Sequence, residues 1–128
     1  MYAHFTPPLT KRNDGTFVGG LFWDGRANTL EEQAKGPLLN PVEMAMPDAA
    51  SVAERIAEKE DYVVRLEALF GPDVLGDPER TFDAVAQALA AYQRTSEFSP
   101  FDSRYDRWLR GEAKLTSQEE FGRIVFVT

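Results

Sequence analysis

The sequence predicts a mostly α-helical protein: a small helical domain preceded by an irregular N-terminal loop region. Three observations carry this expectation. Turn-forming residues crowd the first 28 positions, with Pro7-Pro8, Asn13-Asp14-Gly15, Gly19-Gly20 and Asp24-Gly25. Thr-x-x-Glu capping boxes stand at Thr29–Glu32 and Thr116–Glu119. Between them, Phe82, Val85, Ala86, Leu89 and Ala90 recur at the spacing of one helix face.

The elements follow in order. Residues 1–28 read as an ordered loop holding one short strand pair, with the apolar run Gly20-Leu21-Phe22-Trp23 between two turns. Thr29 opens a first helix that should stop before Gly36-Pro37, since proline lacks an N–H and restricts the residue before it. Leu38 to Pro47 reads as irregular. Asp48 caps a second helix with Val52, Ala53 and Ile56 on its apolar side. Asp61 opens a third, with Tyr62, Leu66 and Phe70 on one face and Gly71 as its stop. The Phe82–Ala90 stripe marks the strongest helix, ending near Arg94. Ser99-Pro100 should open another, with Phe101, Tyr105, Trp108 and Leu109 facing inward before Gly111. The Thr116 box opens the last, from Glu119 to Val127, whose apolar residues run to the end of the sequence. The 128 residues thus read as one domain, loop-rich over 1–28 and helical over 29–128.

Composition removes most familiar chemistries. There is no cysteine, which excludes disulfides, iron–sulfur clusters, a thiol nucleophile, zinc–thiolate sites and covalent haem attachment through C-x-x-C-H. His4 is the single histidine, so no cluster of histidine ligands exists and no metal site is assigned. Fourteen basic against 21 acidic residues give a net charge of −7, with no basic stripe for nucleic acid. No apolar run approaches the roughly 18 residues of a membrane span. The Met1–Phe5 start lacks the basic and apolar regions of a signal peptide.

Two segments combine reactive side chains with unusual settings. Trp23-Asp24-Gly25-Arg26 is a tight turn with an indole at its entrance. One reading is a core tryptophan above a structural turn. The other uses the indole's flat, oxidisable face against a cofactor or cation. Glu43 lies in the proline-rich, otherwise apolar stretch Asn40-Pro41-Val42-Glu43-Met44, where desolvation would disfavour its charge and suit it to moving protons. A solvent-facing loop glutamate is the plainer reading. Gln33, in the helix before that loop, is either an ordinary surface residue or a neutral donor and acceptor lining the same pocket.

Read together, Gly20-Leu-Phe-Trp-Asp-Gly-Arg-Ala-Asn-Thr-Leu-Glu-Glu-Gln-Ala-Lys-Gly-Pro-Leu-Leu-Asn-Pro-Val-Glu-Met44 resembles the signature of the bacterial di-haem cytochrome c peroxidase and MauG family. Ala88–Thr95, Ser99–Asp102, Tyr105–Gly111 and Leu115–Phe126 look like its following helices, so the likeness covers about 19–126. The resemblance implies that Trp23 lies between two haems as the route for electrons. It implies that Glu43 and Gln33 are catalytic residues of the peroxidatic pocket. Glu43 would shift a proton between peroxide oxygens, and Gln33 would orient peroxide or water. Pro37 would line that pocket, making Trp23 and Pro37 the cofactor contacts. It further implies haem c, two per full-length chain, a periplasmic location, and a small cytochrome or copper protein as electron donor.

The departures are as informative. Both haem-attachment motifs that flank this region in the family are absent, so no covalently bound haem is expected on this chain. It reads as the inter-haem segment, inactive by itself. The competing expectation is a stand-alone, haem-free helical module that self-associates. A homo-oligomer is expected on either reading, because the last helix is apolar and haem-facing surface is left open. A hydrolase built on Glu43 lacks a second acid in a comparable loop.

Overall fold

The computed structural model describes residues 2–128, and its six α-helices and single two-stranded sheet bear out the mostly helical expectation. The described chain forms two compact units, Met1–Phe98 and Ser99–Thr128.

In the first unit, β1 (Thr10–Lys11) and β2 (Phe17–Val18) pair antiparallel, Thr10 opposite Val18, across the Asn13-Asp14-Gly15 turn. Asp14 Oδ1 accepts from the Thr16 N–H and hydroxyl, and these bonds hold its carboxyl below the usual range. Four helices follow: α1 (Leu30–Leu39), α2 (Ala49–Ala57), α3 (Glu60–Phe70) and α4 (Pro78–Gln93). α4 is the hub on which α1 and α2 pack, together with a one-turn 3-10 helix at Val74–Gly76. Alanines at 84, 86 and 90 are buried on α4, and their small side chains let its neighbours approach. Three apolar clusters result. Leu21, Ala27 and Leu30 meet Ala90; Leu38, Ala49 and Val52 meet Phe82; Leu66 and Val74 meet Ala84. The fully buried Thr81 hydroxyl donates to the Val74 carbonyl at 2.8 Å and sits 2.9 Å from that of Asp77, tying the 3-10 turn to α4. Ion pairs Glu31–Arg94, at 2.8 Å, and Lys35–Asp83 join α1 to α4 and its end.

Several expectations are corrected. α1 does not stop before Gly36-Pro37 but carries Pro37 inside it. Proline removes one donor, and the helix absorbs that loss because buried Leu38 anchors the last turn and the Asn40 N–H bonds the Gly36 carbonyl at 3.0 Å. At its start, the Thr29 hydroxyl accepts from the Glu32 N–H as expected, but the Glu32 carboxylate returns to the Asn28 N–H, not to that of Thr29. α3 begins at Glu60, one residue before Asp61, and Tyr62 lies exposed.

The second unit holds α5 (Arg104–Leu109) and α6 (Ser117–Val127). α5 does not open at Ser99-Pro100. Phe101 adopts φ 45°, outside the right-handed helical region, and the reciprocal Ser103–Asp106 capping box sets the start. The inward stripe is also absent: Phe101, Tyr105 and Leu109 are exposed, and no residue of this unit is buried. A six-residue helix cannot gather a core of its own. Tyr105 and Trp108 stack instead, with Arg123 over the indole. α6 begins at Ser117, on the expected Thr116–Glu119 box. Among the described residues no helix is long and apolar enough to cross a membrane.

Candidate functional site

α1 organises the site. Leu30, Ala34 and Leu38 form its buried stripe. Gln33, Gly36 and Pro37 follow i, i+3, i+4 spacing along an adjacent stripe, and Asn40 caps the helix just beyond them. Two segments are fastened to that second stripe and its cap.

The first bears Trp23. Leu21 and Ala27 close its neck, with the Leu21 N–H donating to the Ala27 carbonyl at 2.7 Å. Phe22 packs on Gly36 so closely that a Cβ added there would stand 2.7 Å from the ring tip. The Arg26 guanidinium lies 3.6 Å from the centroid of the same ring, and its Nη1 donates to Asp24 Oδ1 at 2.9 Å. Desolvation pushes the Asp24 carboxyl up, but bonds from Arg26 and its charge prevail and hold it below the usual range. Phe22 itself takes φ 64°, a strained value for a bulky residue. Trp23 is 94% exposed. The core reading of this indole is therefore wrong: Phe22 is the anchor, and Trp23 is presented outward.

The second segment bears Glu43. Its turn folds back on the C-terminal end of α1: the Met44 N–H donates to the Pro37 carbonyl at 3.1 Å and the Met46 N–H to that of Leu38 at 2.9 Å. Asn40 does most of the fastening. Its carbonyl accepts from the Glu43 and Ala45 N–H groups, its Oδ1 accepts from the Val42 N–H at 3.1 Å, and its Nδ2 donates to Glu43 Oε1 at 2.6 Å. Ala45 has φ 55°, a second strained position. Glu43 is exposed, so the apolar enclosure expected around it does not come from the described residues. Its neighbours Val42 (87%) and Met44 (61%) are exposed apolar side chains.

Gln33 and Pro37 are half-buried one turn apart on α1. The Pro37 carbonyl holds Met44 of the Glu43 turn, and the preceding residue, Gly36, seats Phe22. Gly36, Arg26 and Asn40 were not singled out as functional from the sequence. Only Asn40 carried a legible signal, an Asn-Pro turn starter three residues before Glu43.

Among the described residues no group of three or more potential ligands is arranged to hold a metal ion. The surface suits a different role. An outward-facing indole, and a tethered carboxylate flanked by exposed Val42 and Met44, leave apolar surface that a flat, apolar group could cover. A haem fits that description as a neighbour held from elsewhere.

The comparisons agree on the class. The sequence model described as di-haem cytochrome c peroxidase matches residues 4–114. The methylamine utilization protein MauG of Paracoccus denitrificans is 59% identical over 127 residues, covering 99% of this chain and 33% of that protein. The cytochrome c551 peroxidase of Nitrosomonas europaea is 39% identical over 100 residues, covering 77% and 27%. The crystal structure of the diheme peroxidase BthA from Burkholderia thailandensis superposes with a TM-score of 0.90 at 38% identity, over 99% of this chain and 30% of that one. The chain belongs to the di-haem cytochrome c peroxidase family, and it spans about a third of the length of these relatives.

Proposed function

We propose that these 128 residues are the inter-haem part of a periplasmic di-haem c enzyme that reduces hydrogen peroxide, taking electrons from a small cytochrome or copper protein. The observation that carries the reading is the convergence on one stripe of α1 and its cap: the turn presenting Trp23 docks there through Phe22, and the turn presenting Glu43 is fastened there through Asn40. Haem, when bound, supplies the iron at which the O–O bond is reduced and a store for the electrons. Forming two waters from peroxide consumes two electrons and two protons. Glu43 takes the proton from one peroxide oxygen and gives it to the other, so that the departing oxygen leaves as water. Gln33 holds peroxide or water by hydrogen bonding, and Pro37 shapes the pocket beside it. Trp23 offers an indole as the stepping stone for charge. The chain carries no attachment motif, so alone it binds no covalent haem and is inactive.

The test is Glu43→Gln in the full-length, haem-loaded enzyme. It removes the proton carrier while keeping the shape, and peroxide turnover should fall by about 10²–10⁴-fold. Unchanged turnover would remove Glu43 from the mechanism.

A second reading, a haem-free module that self-associates, is favoured by one observation. Phe121, Val125, Phe126 and Val127 of α6 are all exposed, Phe126 at 92%.

A further inference from the structure

We infer that Asn40 is the positioning residue for Glu43, making its two carboxylate oxygens unequal: Oε1 is tethered and Oε2 is left to carry the proton. The inference rests on the catalytic reading of Glu43. It goes further by assigning a role to a residue that touches no reacting atom.

The geometry demands a primary amide at position 40. Its Oδ1 must accept from the Val42 N–H, and its Nδ2 must donate to Glu43 Oε1, at 3.1 and 2.6 Å. Aspartate has the acceptor but no donor when ionised, serine is too short to span both partners, and alanine has neither group. The tether is anchored at its base, because the Asn40 N–H bonds the Gly36 carbonyl and the Asn40 carbonyl receives Glu43 and Ala45. The Glu43 carboxylate is therefore referenced to α1, the same helix that seats the Trp23 turn through Gly36. Among the described residues Oε2 takes no hydrogen bond. An exposed glutamate would otherwise sample several rotamers, and reaction rates are sensitive to such freedom: a misplacement of about 1 Å costs on the order of 10²-fold. The left-handed Ala45 marks a turn wound tightly enough to keep Glu43 within reach of Asn40.

Two experiments test this. In the 128-residue chain, the side-chain amide nitrogen of Asn40 and the carboxyl carbon of Glu43 are followed by NMR through an acid titration. A single shared inflection, lost from the Asn40 signal in Glu43→Gln, is expected; independent titration of the two signals overturns the inference. In the full-length, haem-loaded enzyme, Asn40→Asp preserves the Val42 contact but exchanges the donor for a like charge. It should lower peroxide turnover by about 10²-fold. Combined with Glu43→Gln its loss should be strongly sub-additive, because both changes remove one arrangement. Losses that multiply as independent steps would show that Asn40 acts only through stability. Failure of the proposed function looks different: Glu43→Gln would leave turnover intact even where the NMR coupling to Asn40 is present.

Discussion

The contact between Phe22 and Gly36 makes a prediction whose sign depends on two opposed effects. Replacing Gly36 with alanine favours α1 intrinsically by about 1 kcal/mol, since glycine is a poor helix former. The new Cβ, however, would sit 2.7 Å from the Phe22 ring tip. Ordinary carbon contacts begin near 3.5 Å, so the ring must retreat by about 0.8 Å. Retreat is not free, because Phe22 already holds a left-handed backbone and Arg26 lies over its ring at 3.6 Å. Overpacking of this kind costs about 1–3 kcal/mol. Gly36→Ala should therefore destabilise by a net of about 0–2 kcal/mol in denaturant unfolding. Hydrogen exchange at the Leu21 and Ala27 amides, which close the neck of the Trp23 turn, should quicken as well. In a Phe22→Ala background the notch is empty, and the same change should stabilise by about 1 kcal/mol. A Gly36→Ala protein that is more stable with Phe22 in place would show that no tight docking exists.

Further outcomes follow from the same geometry. The Arg94 hydrogen bond holds the Glu31 carboxyl below its usual range. A depressed folded value means the pair contributes stability above the unfolded glutamate value of about 4.3, and loses it as pH falls through the lower folded value. Glu31→Gln should thus be less stable than the parent at neutral pH. The gap should close on acidification, and a gap unchanged at acid pH in thermal melts would refute the assignment. For self-association, replacing Phe121 and Phe126 with serine should convert dimers or larger species of the isolated chain to monomers in light scattering. A parent chain that is already strictly monomeric at high concentration would count against that reading.

How far the sequence could be read depended on the range of the forces involved. Caps were legible because they are local: Asp48 receives the Ser51 N–H, and Thr116 and Glu119 form their reciprocal box. The α4 stripe was legible through its periodicity, though Leu89 on it stays open to solvent. Pro37 sits inside α1 despite its local penalty because Leu38 is buried in a cluster with Phe82, 44 positions along the chain, a contact no local pattern shows. Ser99-Pro100 is a plausible cap overruled by a left-handed Phe101 and a better cap at Ser103. At the site, the unusual settings of Trp23, Glu43 and Gln33 mark them as candidates, whereas Pro37 enters only through the family resemblance. Composition alone could not reveal that Phe22 is the anchor and Trp23 the exposed ring. Nor could it reveal that Asn40 fastens Glu43, because both facts depend on where the turns fold back on α1.

The most direct test is a crystal structure of the full-length, haem-loaded enzyme at a resolution that fixes side chains. The account predicts the Trp23 indole between the two porphyrins, and Glu43 Oε2 and the Gln33 amide within hydrogen-bonding reach of whatever occupies the open face of one iron. Trp23 and Glu43 directed to opposite surfaces, with no haem touching both α1-borne turns, would contradict it.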